Sequence, residues 1–89
     1  MEWDTDKATR NVAKHGVPFE EACTVFGDPL EVTVEDESHS EEEARFFSVG
    51  VSVSGRLLAV SYTERSDRVR ILSARLASRR EPKDYENQR

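Results

Sequence analysis

The sequence predicts one small α+β domain: two N-terminal helices, a four-stranded and mostly antiparallel sheet, and a short C-terminal helix. Three observations point there. Apolar residues recur at helical spacing as far as Phe26 and at a spacing of two from Leu30 onward. Capping residues bracket the helical stretch, and turn-forming residues separate the alternating runs. A chain of 89 residues makes one domain with a thin core, so that binding a partner adds usefully to its stability.

The elements follow in order. Asp4 can cap a helix from Thr5 to His15, with Trp3 and Ala8 at hydrophobic-staple positions and Ala8 and Val12 marking one face. Lys14, His15 and Gly16 form a basic last turn and a glycine stop. Pro18 suits the first position of a second helix, with Glu20 and Glu21 in its first turn. Phe19, Ala22, Cys23 and Phe26 recur along it before Gly27-Asp28-Pro29 ends it. Leu30, Val32 and Val34 alternate with polar residues in a first strand, followed by an acidic turn from Asp36 to Glu43 that contains His39. Phe47, Val49, Val51 and Val53 alternate with Ser48, Gly50, Ser52 and Ser54, giving a second strand with one apolar and one small-residue face. Ser54-Gly55 turns into a third strand, Arg56 to Thr63, and Glu64 to Asp67 turns into a fourth, Arg68 to Ala74. Ser78 and Glu81 have capping-box spacing, but Pro82 falls where that helix would need an amide donor, so either the match is accidental or, as we prefer, a short helix begins near Pro82 and runs through Tyr85 to about Gln88.

The net charge of −5 averages two unlike halves. Residues 1–43 hold thirteen acids against three bases, and residues 44–89 hold ten bases, nine of them arginine, against five acids. A polyanion partner is therefore open to the second half, although mutual neutralisation of the halves explains the same split. No apolar stretch approaches the roughly 18 residues of a membrane helix, and the first residues do not read as a signal peptide, so no membrane association is expected. Cys23, the single cysteine, cannot form an internal disulfide, which fits a reducing, cytoplasmic setting. The acidic turn offers neither a calcium-type loop nor a Cys/His cluster, so neither a metal nor a cofactor is expected.

Several segments together form a recognisable set. Trp3-Asp4, Lys7 and Asn11 lead into Lys14-His15-Gly16-Val17, and Phe19-Glu20-Glu21-Ala22 precedes Val25-Phe26-Gly27-Asp28-Pro29. His39, Glu43 and Arg45 follow, then Leu57-Leu58, Val60 and Tyr62-Thr63-Glu64-Arg65. Val69 through Arg75 and Tyr85-Glu86 complete it. The ordered set resembles the BrnT toxins of bacterial toxin–antitoxin pairs and spans nearly the whole chain. The resemblance implies a RelE-like fold, an endoribonuclease that arrests growth, a BrnA-type antitoxin partner in a hetero-oligomer, and contact with DNA only through that antitoxin. The chain departs from the family pattern in two places. Only Met1 precedes Glu2, which is expected to curtail any N-terminal edge strand, and Pro82 interrupts the region of the last helix.

Metal-free RNA cleavage needs a base for the 2′-hydroxyl proton, an acid for the leaving 5′-oxygen, and cations for the pentacovalent phosphate. Arginine suits the last role because its fork reaches two phosphate oxygens and stays charged. With the resemblance, Arg65, Arg75, His39 and Tyr85 are assigned to catalysis, and Lys14, Arg45, Arg70 and Arg79 to phosphate binding. Each has a plainer reading as well: a surface ion pair for the arginines, helix-end complementarity for Lys14 and His15, a solvated loop for His39, and an amphipathic anchor for Tyr85. Glu81 acts as a base only if burial raises its pKa, and Cys23 reads as core. Unbroken alternation places Arg75 on one strand face with Val69, Ile71 and Ser73, and Arg70 on the other with Leu72 and Ala74. On that reading the arginines do not all meet one phosphate. A competing reading, a non-catalytic protein-interaction domain, draws on the chain's overall acidity and its lack of a self-sufficient catalytic triad.

Overall fold

The computed structural model describes residues 1–35 and 44–77. Within them the order is β1 (Glu2–Trp3), α1 (Thr5–His15), α2 (Phe19–Cys23), a 3-10 turn (Thr24–Gly27), β2 (Val32–Glu35), β3 (Ala44–Val51), β4 (Leu57–Arg65) and β5 (Arg68–Leu76). The sheet order is β1-β5-β4-β3-β2. Strands β2 to β5 form an antiparallel meander, while β1 lies parallel to β5 with Glu2 opposite Arg70 and Trp3 opposite Ile71. The sheet therefore has five strands and is mixed, which corrects the expected four. The extra strand is two residues long and too short to show any periodicity of its own. The C-terminal helix expected around Pro82 to Gln88 lies outside the described residues, as does the acidic turn.

Local signals explain the helices. Asp4 accepts hydrogen bonds from the backbone N–H groups of Asp6 at 2.8 Å and Lys7 at 3.1 Å. Those two bonds, Lys7's first, hold its carboxyl below the usual range. Gly16 closes α1 at a φ of 70°, in the left-handed region that suits glycine. The second helix is shorter than its spacing suggested. After five residues it tightens into the 3-10 turn, whose close approach to β3 requires Gly50. A Cβ there would stand 2.9 Å from the Val25 Cγ1 atom and 3.3 Å from an Asp28 carboxylate oxygen.

Both helices and the 3-10 turn pack on one face of the sheet, which we term the inner face. Val17, Phe19, Ala22 and Val25 meet Leu58, Val60, Tyr62, Ile71 and Ala74 in a buried cluster, with Trp3 and Ala8 beside it. Trp3 packs edge-on to Phe19 at 6.0 Å, and Phe26 edge-on to Tyr62 at 5.0 Å. The small-residue side of β3, Ser48 and Gly50, faces inward because the 3-10 turn comes so close. The apolar side, Phe47, Val49 and Val51, faces outward with Leu30, Val32, Leu57 and Ala59.

Two polar devices lock the helix layer to the sheet. Asn11 is buried, and its amide pairs with the backbone of Ala74 in both directions, Nδ2 donating to the Ala74 carbonyl at 2.8 Å and Oδ1 accepting from the Ala74 N–H at 3.2 Å. The same Nδ2 donates to the Val17 carbonyl at 2.8 Å. Because β1 pairs with β5 only at Arg70 and Ile71, Asn11 satisfies the edge of β5 where no strand reaches it. The second device is Glu21 on α2. Its carboxylate accepts from Arg56 Nε at 2.9 Å, from the Arg56 Nη2 group, and from the hydroxyls of Ser52 and Ser54 at 2.7 Å each. These donors, Arg56 foremost, bring the Glu21 carboxyl down to about 2 and tie α2 to the β3–β4 hairpin loop.

Asn11→Ala strips three hydrogen bonds from buried groups and is expected to cost about 2–4 kcal/mol in urea unfolding. A loss below about 0.5 kcal/mol would show that water replaces the amide. The folded-state pKa of Glu21 lies below its ordinary value of 4.5, so its contribution is fully present above pH 4.5 and lost as pH falls toward about 2. The difference in melting temperature between the wild-type chain and Glu21→Gln is therefore expected to shrink across that window, and a constant difference contradicts the assignment.

Candidate functional site

The outer face of the sheet carries five of the ten bases of the second half, and register shows how. Residues directly opposite one another in a ladder share a face. Arg45 on β3 and Arg70 on β5 both stand opposite Thr63 on β4. Phe47 and Ser73 both stand opposite Ser61, Val49 and Arg75 both stand opposite Ala59, and Arg65 closes the β4–β5 hairpin opposite Arg68. Five arginines (45, 65, 68, 70 and 75) thus surround Phe47, Ser61, Thr63 and Ser73 on one surface. No described helix packs there.

Unbroken alternation would forbid this arrangement. Ile71 is opposite Tyr62 and Ser73 is opposite Ser61, so two steps on β5 match one step on β4. The ladder shifts between Ser61 and Tyr62, leaving Leu72 as the extra residue of a β-bulge. The bulge reverses the parity of everything after it. Ile71 and Ala74 are both buried in the inner core, and Arg70 and Arg75 both belong to the outer face. The expectation that Arg70 and Arg75 occupy opposite faces is therefore corrected.

Sharing a face is not convergence. Arg65 and Arg75 stand opposite Arg68 and Ala59, six residues apart along β4, which is about 20 Å of strand. They lie at opposite ends of the surface and do not meet one group. Arg45 and Arg70, by contrast, are separated only by Thr63, about 10 Å across two strand spacings. The Arg75 guanidinium lies over the Phe47 ring, 5.4 Å from its centroid.

The remaining candidates fall elsewhere. Lys14 is exposed and His15 half-buried, both in the last turn of α1, in the helix layer. His39, Arg79, Glu81 and Tyr85 lie outside the described residues. Cys23 packs against the inner core, and its burial pushes the thiol pKa up, opposite to what a reactive thiolate needs. Among the described residues no group of three or more His, Cys, Asp or Glu side chains is placed to hold a metal ion. No described helix is long and apolar enough to cross a membrane.

Sequence reasoning missed Arg68, Phe47 and Thr63 as members of this surface. Phe47 read as a strand residue only, yet an aromatic beside arginines on a half-covered face offers a stacking surface. Arg56, also passed over, has a structural duty as the partner of Glu21.

Comparison with known proteins agrees with this architecture. A family model described as the ribonuclease toxin, BrnT, of type II toxin–antitoxin systems matches residues 3–81. The chain also resembles the 1.1 Å crystal structure of the Brucella abortus ribonuclease toxin, BrnT, with a TM-score of 0.64 and 21% identity, over 89% of this chain and 99% of that one. At that identity the likeness is one of fold. No curated protein matches the chain.

Proposed function

The chain belongs to the BrnT ribonuclease toxins of type II toxin–antitoxin systems, and from that premise we propose that it is a metal-independent endoribonuclease whose outer sheet face binds and cleaves RNA. The observation that carries this reading is the gathering of five arginines around an aromatic ring and three hydroxyl residues on one surface. A polyanion with stackable bases matches such a surface in both charge and shape.

In the proposed reaction a base takes the 2′-hydroxyl proton, the freed 2′-oxygen attacks phosphorus, and an acid protonates the departing 5′-oxygen. Arginine forks stabilise the charge that builds on the phosphoryl oxygens between these events. Arg75 is assigned this task beside Phe47, where a flanking base can stack. Arg65, at the other end of the surface, serves a different phosphate of the same strand. Arg45 and Arg70 hold a phosphate between them. His39 and Tyr85 remain the proposed proton carriers, and Lys14 and Arg79 the outlying phosphate contacts. Kinship with RelE-like ribonucleases belongs to this reading.

The partner proposed is a BrnA-type antitoxin in a cytoplasmic hetero-oligomer. It blocks the arginine surface or docks on the acidic half through a basic segment, and links the pair to DNA. The purified chain is expected to cleave RNA in EDTA. Arg75→Ala is expected to reduce cleavage by about 100-fold or more, with an unchanged circular dichroism spectrum and melting temperature. Full activity in a folded Arg75→Ala chain would remove Arg75 from the machinery. Intact RNA with the wild-type chain, together with normal growth on its expression, would favour a non-catalytic interaction domain.

A further inference from the structure

We infer that Thr63 is a phosphate-binding residue, its hydroxyl forming with Arg45 and Arg70 a subsite for one phosphodiester group of the RNA. This rests on the ribonuclease reading above and adds a residue and a geometry to it.

Thr63 is only 3% exposed, and among the described residues its Oγ1 is the buried side-chain polar atom left without a hydrogen-bond partner. Buried hydroxyls are seldom left so, because an unmade hydrogen bond in the interior costs free energy. The other buried hydroxyls among the described residues obey that rule. On the inner face Thr33, Ser48 and Tyr62 form a chain of hydroxyl contacts at 2.9 and 3.3 Å. Ser52 and Ser54 donate to Glu21, and Thr24 donates to the Glu21 carbonyl and accepts from Val53. Thr63 stands apart from this pattern, at the centre of the outer face.

What surrounds it says what is missing. Its two cross-strand neighbours are Arg45 and Arg70, and Arg65 follows two residues along the same strand. Arginine carries five donors and no acceptor, so none of the three can receive the threonine proton. Among the described residues the row therefore offers no side-chain acceptor, and two flanking guanidinium groups favour one that is negatively charged. A phosphodiester fits: one non-bridging oxygen takes the Thr63 proton while Arg45 and Arg70 take the charge from either side. Both arginines are exposed, and the proposed subsite has their side chains turn onto the anion. Phe47, two residues from Arg45 on β3 and on the same face, lies where a neighbouring base can stack. That favours a nucleotide strand over an isolated carboxylate.

The test uses fluorescence anisotropy with a fluorescein-labelled, single-stranded 2′-O-methyl RNA 12-mer, which the enzyme cannot cleave. Thr63→Val keeps the shape and removes the hydroxyl. It is expected to weaken binding about tenfold, to leave the salt dependence unchanged, and to hold or raise the melting temperature. Thr63→Ser is expected to bind within about twofold of the wild-type chain. Arg45→Ala or Arg70→Ala is expected to weaken binding and lower the salt slope by about 0.7, because each removes a phosphate charge contact. Wild-type binding by Thr63→Val, with both arginine variants impaired, overturns the role of Thr63 and leaves the ribonuclease reading standing. A melting temperature lowered by several degrees in Thr63→Val also overturns it, by revealing an internal partner for the hydroxyl. Failure of the wild-type chain to bind the oligonucleotide overturns the parent reading. Equal loss by Thr63→Val of binding to labelled poly-glutamate would assign the subsite to carboxylates instead.

Discussion

The arrangement of this molecule depends on one extra residue in its fifth strand. The run Val69 to Leu76 must supply buried residues to the inner core and cations to the outer surface, and strict alternation cannot place both Ile71 and Ala74 inside, since they are three apart. The bulge at Leu72 resolves the conflict. It lets Ile71 and Ala74 both enter the buried cluster, and by the same shift it turns Arg70 and Arg75 to a common side. Core packing and surface charge are thus set by one backbone irregularity, and bulges beside functional surfaces commonly re-aim side chains in this way.

No described helix packs on the outer face, and the inner face is held firmly to the helix layer. Asn11 acts as a one-residue strand against the edge of β5, supplying a donor and an acceptor to Ala74 beside the arginine strand itself. Glu21 gathers Arg56 and two serines, fixing α2 to the far end of the β3–β4 hairpin. Gly50 admits the 3-10 turn to contact with β3. Helices, turn and hairpin loop are therefore committed to one side. Among the described residues the outer side divides into an apolar region on β2 and β3 and an arginine region on β4, β5 and the start of β3.

Local chemistry was the part of this plan legible in the sequence. Asp4, the Trp3–Ala8 staple and Gly16 define α1, and the spacing of two marks the four antiparallel strands. The charge split was visible by counting, and five of the ten bases of the second half stand on the arginine surface. What escaped were features that depend on pairing. Strand β1 has two residues and a partner nearly seventy positions away, so no periodicity announces it. The bulge escaped because alternation was extended through Leu72, where Ile71-Leu72 gives an apolar pair that either parity accommodates. Asn11 belonged to a motif, but nothing local says that its amide finishes a sheet edge. Thr63 looked like any strand threonine, since a hydroxyl without a partner is a property of its surroundings.

The central claim, that a bulge at Leu72 puts Arg70 and Arg75 on one face, is tested most directly by cross-strand nuclear Overhauser contacts between β4 and β5. The account predicts contacts linking Ile71 with Tyr62 and Ser73 with Ser61, with Leu72 unpaired between them. Contacts that instead pair Leu72 with Ser61 and Ser73 with Val60 would show an unbroken ladder, return Arg70 and Arg75 to opposite faces, and contradict it.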